Sequence, residues 1–158
     1  MSNALPRLEN ARVGALAVLR RWQWLALLLA RLSVGLLFLS TGWGKVHSIP
    51  KVTAFFEQLH IPAPGLNAVV VGYSELICGS LLVIGLLTRL ATIPLIVSMV
   101  VAILTAKLAD IHGVFDLVGT DEFTYLCMLV VIAAVGPGGA SVDHFVARRM
   151  DARVAPDS

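Results

Sequence analysis

The feature that most constrains this chain is a series of apolar stretches, three of which run for about twenty residues. They lie at residues 22–44, 66–87 and 90–108. A helix of about 20 apolar residues crosses the roughly 30 Å hydrocarbon core of a bilayer. A fourth stretch, 123–135, covers only thirteen residues. We therefore expect the fourth span to begin near Thr120 and to cover residues 120–136.

The composition indicates an integral membrane protein. Of 158 residues, 58% are hydrophobic and 14% are charged, whereas soluble domains average roughly 45–50% apolar and about 25% charged residues. The net charge of +2 is too small to indicate nucleic-acid binding. We therefore expect the lipid bilayer to surround the chain and expect no nucleic-acid partner.

These spans predict an all-α fold, a four-helix transmembrane up-and-down bundle. Between spans one and two, Ser48 and Pro50 can open a short helix, and apolar residues then recur on one of its faces. We expect this to be an amphipathic interfacial helix. The chain then divides into a basic N-terminal segment (1–21), the transmembrane domain (22–138) and a C-terminal tail (139–158).

The distribution of basic residues predicts the orientation. Lys and Arg are concentrated in the N-terminal segment, in the turn that contains Arg89 and in the tail. The positive-inside rule then places both termini in the cytoplasm. No cleavable signal is evident, because the apolar run after Arg21 is longer than the core of a signal peptide. We expect a multi-pass protein of a bacterial cytoplasmic (inner) membrane.

Two opposite charges interrupt the apolar runs: Arg31 in the first span and Glu75 in the second. A charge within a membrane span is costly and is usually paired or functional. Measured from the expected inner ends of the two spans, the depths of Arg31 and Glu75 differ by only about 4–5 Å, so we predict an ion pair. Two interpretations stay open. The pair is a structural staple between helices, or it lines a site for a ligand or for protons.

A second polar cluster is expected near the outer surface. It contains Lys45, Lys107, Glu122 and Tyr125, with Asp110 and Asp121 beside them. These are either interfacial side chains that reach toward water and cap a helix, or the mouth of a headgroup or quinone site. The four histidines show no metal-ligand spacing, so no metal site is predicted. The two cysteines, Cys78 and Cys127, lack a C-x-x-C spacing and favour inert thiols over a redox pair.

The motifs resemble those of the DoxX family of small four-span bacterial membrane proteins. The resemblance rests on Arg31-Leu-Ser-Val-Gly35, Gly42-Trp-Gly-Lys45, Glu75-Leu-Ile-Cys-Gly79, Ile84-Gly-Leu-Leu-Thr-Arg89 and Gly136-Pro-Gly-Gly-Ala-Ser-Val-Asp143. The family takes its name from a subunit associated with a membrane thiosulfate:quinone oxidoreductase, and other members are linked to oxidative-stress complexes. The resemblance implies that Arg31, Lys45, Glu75 and Arg89 match the charged positions of the family.

Two functions follow as hypotheses. The first is a subunit of a quinone-linked oxidoreductase or stress complex, with quinone as substrate, no evident cofactor in this chain and electrons supplied by partner proteins. Its candidate ligand-binding residues are Arg31, Lys45, Glu75, Arg89, Lys107, Glu122 and Tyr125. The alternative is a non-enzymatic scaffold or small-molecule carrier in which the Arg31–Glu75 pair is a staple. Homo-oligomerisation is compatible with both.

Overall fold

The structure is a computed structural model that describes the backbone of residues 4–154 and the side chains of residues 22–150. Within this part every regular element is helical, which confirms the all-α prediction. The helices are α1 (Ala4–Val46), α2 (Ile49–Gln58), α3 (Pro64–Ile84), α4 (Thr88–Ala102), α5 (Val114–Val118), α6 (Asp121–Val135) and α7 (Val142–Val154). The side chains of the predicted basic segment (1–21), and those of 151–158 in the predicted tail, lie outside the described residues.

Three helical segments are long and apolar enough to cross a membrane. They are Trp22–Val46, Pro64–Ile84 and Thr88–Asp110. Large apolar side chains such as Leu36, Ile77 and Ile93 project outward from them. Outward-facing apolar residues suit helices surrounded by lipid rather than water. Helix α6 has 15 residues and so spans only about 22 Å.

Helices α1 and α3 pack backbone to backbone along a line of glycines. A Cβ on Gly42 would fall on the backbone of Leu76, and one on Gly79 would lie 2.5 Å from the backbone nitrogen of Leu39. Small residues allow such close approach between membrane helices. The two helices therefore meet along a glycine-lined contact.

The buried core draws on all four long helices. Val34 and Phe38 come from α1, Leu82 from α3, Leu95 from α4 and Ile132 from α6, and each is at most 2% exposed. Helix α6 therefore packs with the span-length helices even though it is shorter than they are.

The predicted helix between the first two spans is confirmed as α2. Pro50 lies in its first turn, and Ser48 precedes it without a capping hydrogen bond from its side chain. Thr120 does cap α6, because its hydroxyl accepts a hydrogen bond from the Phe123 N–H at 3.3 Å. Gly136 ends α6 in a conformation with φ of 97°.

Two features differ from the prediction. The third span is not α-helical throughout, because α4 gives way to a π-helical turn at Ile103–Lys107 and a 3-10 turn at Leu108–Asp110. A π turn accommodates an extra residue in a helix and often lies near functional groups. The predicted tail also contains a regular helix, α7, which begins directly after the glycine-rich segment.

Candidate functional site

The buried carboxylate of Glu75 lies near the middle of α3 and is held by two groups from α1. Glu75 is 1% exposed. Its Oε1 accepts a hydrogen bond from the Lys45 ammonium at 2.5 Å, and its Oε2 accepts one from the Thr41 hydroxyl at 3.0 Å. The Lys45 side chain is 30% exposed. The result is a three-residue cluster of Thr41, Lys45 and Glu75 with a buried acid and a partly exposed base.

The predicted Arg31–Glu75 ion pair is wrong, because Glu75 pairs with Lys45. The contacts of the glycines set the register between the antiparallel helices: Gly42 lies against Glu75 and Leu76, and Gly35 lies against Val83. Glu75 is thus level with Gly42, about eleven residues or roughly 17 Å along α1 from Arg31. The predicted pair assumes that the inner ends of the two spans, Trp22 and Leu87, lie at the same depth. The glycine contacts instead place Arg31 level with the end of α3.

Arg31 instead binds backbone carbonyls of the segment after α6, next to the C-terminal end of α3. Its guanidinium donates hydrogen bonds to the Pro137 oxygen at 2.6 Å and to the Ala140 oxygen at 2.7 Å. The side chain is 2% exposed and fits beneath Gly85, where a Cβ would lie 2.6 Å from Nη1. Arg31 therefore fastens the segment after α6 to α1. Its described hydrogen bonds are structural, and its buried side chain is not accessible to a ligand.

Asp143 completes this fastening from the start of α7. Its carboxylate accepts hydrogen bonds from the Leu87 N–H at 2.8 Å and the Thr88 N–H at 2.9 Å. These N–H groups belong to the first turn of α4, where intrahelical acceptors are lacking. Desolvation raises the pKa of Asp143, but the two backbone hydrogen bonds and the nearby charge of Arg31 outweigh it and hold the pKa below its usual value.

The other predicted site residues are divided between the two ends of the protein. Lys107, in the π turn, lies 3.6 Å from the Glu122 carboxylate at the start of α6. Both side chains are partly exposed, at 41% and 23%, so this is a surface ion pair of small energetic value. Tyr125 is half-buried one turn further along α6. The described contacts do not connect Lys107, Glu122 or Tyr125 with Glu75.

Arg89 lies at the same end of the protein as Arg31, in the first turn of α4. It is exposed, and its Nη2 donates a hydrogen bond to the Ala134 oxygen at 3.3 Å. It borders an open groove that also involves Pro137 and α7. The candidate residues of the sequence prediction therefore form no single site: the structure unites Lys45 with Glu75, and Lys107 with Glu122.

Comparison with known proteins decides the family. The sequence profile of DoxX matches residues 26–108. This chain belongs to the DoxX family. It is similar to "Uncharacterized membrane protein Rv3486" of Mycobacterium tuberculosis, with 35% identity over 134 residues that cover 77% of this chain and 82% of that protein. It is also similar to "Putative oxidoreductase CatD" of Bacillus subtilis, with 31% identity over 121 residues that cover 75% of this chain and 85% of the relative. No solved structure matches.

The DoxX match includes the buried cluster but stops before the end of the chain. Thr41, Lys45 and Glu75 lie inside residues 26–108, whereas Glu122 and Asp143 lie outside them. The cluster is therefore part of the segment that defines this protein as a DoxX member.

Sequence reasoning missed two residues of this DoxX protein that matter to its charges. Thr41 lies four residues before Lys45 and so on the same face of α1, a signal that could have found it. Asp143 stands at the end of a recognised motif, but its partners are backbone N–H groups of a distant turn. No residue pattern encodes that contact.

Metal-ligating side chains and thiols are the other candidate reactive groups among the described residues of the DoxX chain. No group of three metal-ligating side chains converges among them. Cys78 is buried and Cys127 exposed, and both are free thiols. The cluster can exchange a proton between Lys45 and Glu75, and the partly exposed ammonium can donate a hydrogen bond to an oxygen of a small molecule.

Proposed function

We propose that this DoxX protein is a multi-pass subunit of a quinone-linked oxidoreductase complex in a bacterial cytoplasmic membrane. The observation that carries the proposal is the Glu75 carboxylate, buried mid-helix and joined to a partly exposed Lys45. Ionisable groups inside membrane spans are typical of proton relays and substrate paths. The name of the Bacillus subtilis relative, "Putative oxidoreductase CatD", points to the same class of protein.

In this proposal the chain handles protons and a partner protein supplies electrons. Reduction of a quinone to a quinol takes up two electrons and two protons. The Lys45 ammonium donates a hydrogen bond to a quinone oxygen and then transfers a proton to it as that oxygen gains electrons. Glu75 holds Lys45 in position and passes it a new proton, taken up from water, before the second transfer.

The proposal includes a topology. Helix α6, capped by Thr120, crosses as a fourth span and completes an up-and-down bundle. Its roughly 22 Å length is accommodated by local thinning of the bilayer. Both termini then lie in the cytoplasm, and the end of the bundle that contains Arg31 and Arg89 faces inward.

The test uses a conservative substitution of the buried acid. Glu75→Gln keeps the size of the side chain but removes its charge and its role in proton transfer. We expect quinol formation in membranes that express this variant in place of the wild type to fall about 100-fold, the lower bound for loss of a general acid–base group. Glu57→Gln, on the exposed surface of α2, is the matched control and should retain the wild-type rate.

A binding assay separates loss of substrate from loss of chemistry. Trp43 is exposed two residues from Lys45, so a short-chain naphthoquinone bound at the cluster should quench its fluorescence in purified protein. Wild type and Glu75→Gln should both show quenching. Absence of quenching together with wild-type quinol formation by Glu75→Gln would refute the proposal.

A scaffold or carrier is the second candidate, and one observation favours it. Both buried charges have partners within the protein: Glu75 accepts from Lys45 and Thr41, and the Arg31 guanidinium donates to two carbonyls. Buried charges with such partners can have a purely structural role, in which they hold helices together. Under this function Glu75→Gln lowers the free energy of unfolding but leaves quinol formation unchanged.

A further inference from the structure

An open groove of about 390 Å³ lies at the end of the protein that contains Arg31. Four apolar residues form its walls: Leu87 and Leu90 at the start of α4, Pro137 after α6, and Ala147 on α7. The remaining lining is polar and consists of Thr88, Arg89, Asp143 and His144. An apolar groove bordered by the Arg89 guanidinium suits an amphipathic anion better than a small polar solute.

The guanidinium of Arg89 is positioned but not neutralised by its described contacts. It donates to the Ala134 oxygen and lies over Gly136, where a Cβ would come within 3.3 Å of Nη2. A guanidinium has five N–H donors, so most remain directed elsewhere. The Asp143 carboxylate, which also lines the groove, accepts hydrogen bonds from the N–H groups of Leu87 and Thr88.

Helix α7 adds both apolar surface and positive charge beside the groove. Val142, Phe145, Val146 and Met150 are exposed on one face of the helix at intervals of three, one and four residues. Arg149 lies 4.5 Å from the centre of the Phe145 ring, and Arg148 is exposed. A short helix with these properties typically lies in the bilayer interface and is attracted by anionic lipids.

The position in the fold brings the groove to the membrane boundary. Helix α3 ends at Ile84, α4 begins at Thr88 and α6 ends at Val135. All three helix ends meet around the groove, so a lipid headgroup in the adjacent leaflet lies at the same level.

We infer that this groove binds the phosphate headgroup of an anionic phospholipid. Arg89 and His144 contact the phosphate, Leu87 and Leu90 cover the glycerol and the first acyl carbons, and α7 lies on the same leaflet. Free inorganic phosphate offers the same anion but would leave the apolar walls uncovered. The inference goes beyond the proposed oxidoreductase role and does not depend on it.

The experiment is lipid binding to the full-length protein, measured by native mass spectrometry with dioleoylphosphatidylglycerol or dioleoylphosphatidylcholine. We expect the wild type to prefer phosphatidylglycerol. Arg89→Gln should weaken phosphatidylglycerol binding about fivefold, the contribution of one basic residue near an anionic lipid. Lys51→Gln, which removes an exposed charge on α2, should bind like the wild type.

A neutral variant keeps the test decisive if Arg89→Gln does not fold. Ala147→Phe fills the groove without altering charge and should also reduce phosphatidylglycerol binding. Equal affinity of the wild type for the two lipids, an equal loss in Lys51→Gln, or unchanged binding in Ala147→Phe would each overturn the inference. So would complete displacement of the lipid by millimolar inorganic phosphate, which would identify a free-phosphate site.

Discussion

Asp143 joins α7 to the first turn of α4 through one carboxylate. Its pKa lies below the usual value in the folded protein, so ionised Asp143 stabilises the fold at neutral pH. That contribution is complete above the unfolded-state pKa, about 3.9, and is lost as the pH falls through the lower folded-state value. We expect Asp143→Asn to be less stable than the wild type at pH 7 and the difference to shrink below about pH 4.

Unfolding in detergent, followed by circular dichroism from pH 7 to pH 3, measures this difference. Asp110→Asn replaces an exposed carboxylate and serves as the control, with little change in stability at any pH. A stability loss in Asp143→Asn that stays constant down to pH 3 would contradict the role given to the ionised carboxylate.

The two buried charges show the limit of residue-level prediction. The sequence correctly singled out Arg31 and Glu75 as buried, because a charge within an apolar run is conspicuous. It could not name their partners. Arg31 donates to backbone carbonyls, which every residue carries, and Glu75 pairs with Lys45, which the sequence assigns to a separate surface cluster.

At the scale of helices, the contact between α1 and α3 depends on closely packed glycines, among them Gly42 and Gly79. We expect Gly42→Ala to destabilise the protein by about 1–3 kcal/mol, the usual cost of overpacking, because its methyl group would meet the backbone of α3. Gly44→Ala is a matched control on the same helix, since a Cβ there has no neighbour within 4 Å. The measurement is the free energy of unfolding in mixed micelles.

The opposite ranking of these two variants would show that α1 and α3 pack by other surfaces. Gly44→Ala should be neutral or slightly stabilising, because alanine favours a helix by about 1 kcal/mol over glycine.

Apolar runs and helix-breaking residues predict where the helices lie in the sequence better than how the helices align with one another. The three long apolar spans and the short α2 follow from local features of the sequence and are confirmed. The axial offset between α1 and α3 is not local, because the apolar run does not show where α1 begins relative to its neighbour. Helix α7 was missed because its sequence has no long apolar run and follows the helix-breaking segment Gly136-Pro-Gly-Gly.

For the whole molecule, the proposed topology places the segment before α6 and the start of α7 on opposite sides of the membrane. In a Cys127→Ser background, we expect Asp110→Cys to react with an impermeant maleimide in intact cells. Arg148→Cys should react only after lysis. The remaining native thiol, Cys78, is buried.

The labelling pattern also reports on α6. Equal reactivity of the two positions in intact cells would mean that α6 does not cross the bilayer. A reversed pattern would mean that the termini lie outside.

The separation of Arg31 from Glu75 has a consequence for how the protein tolerates change. Groups more than about 7–10 Å apart without shared partners contribute additively to stability, and these two are roughly 17 Å apart along α1. Removing one charge by substitution therefore does not change how much free energy of unfolding is lost when the other is removed. The two ends of the protein can diverge independently in sequence, with the lipid-facing groove altered while the Lys45–Glu75 cluster is kept.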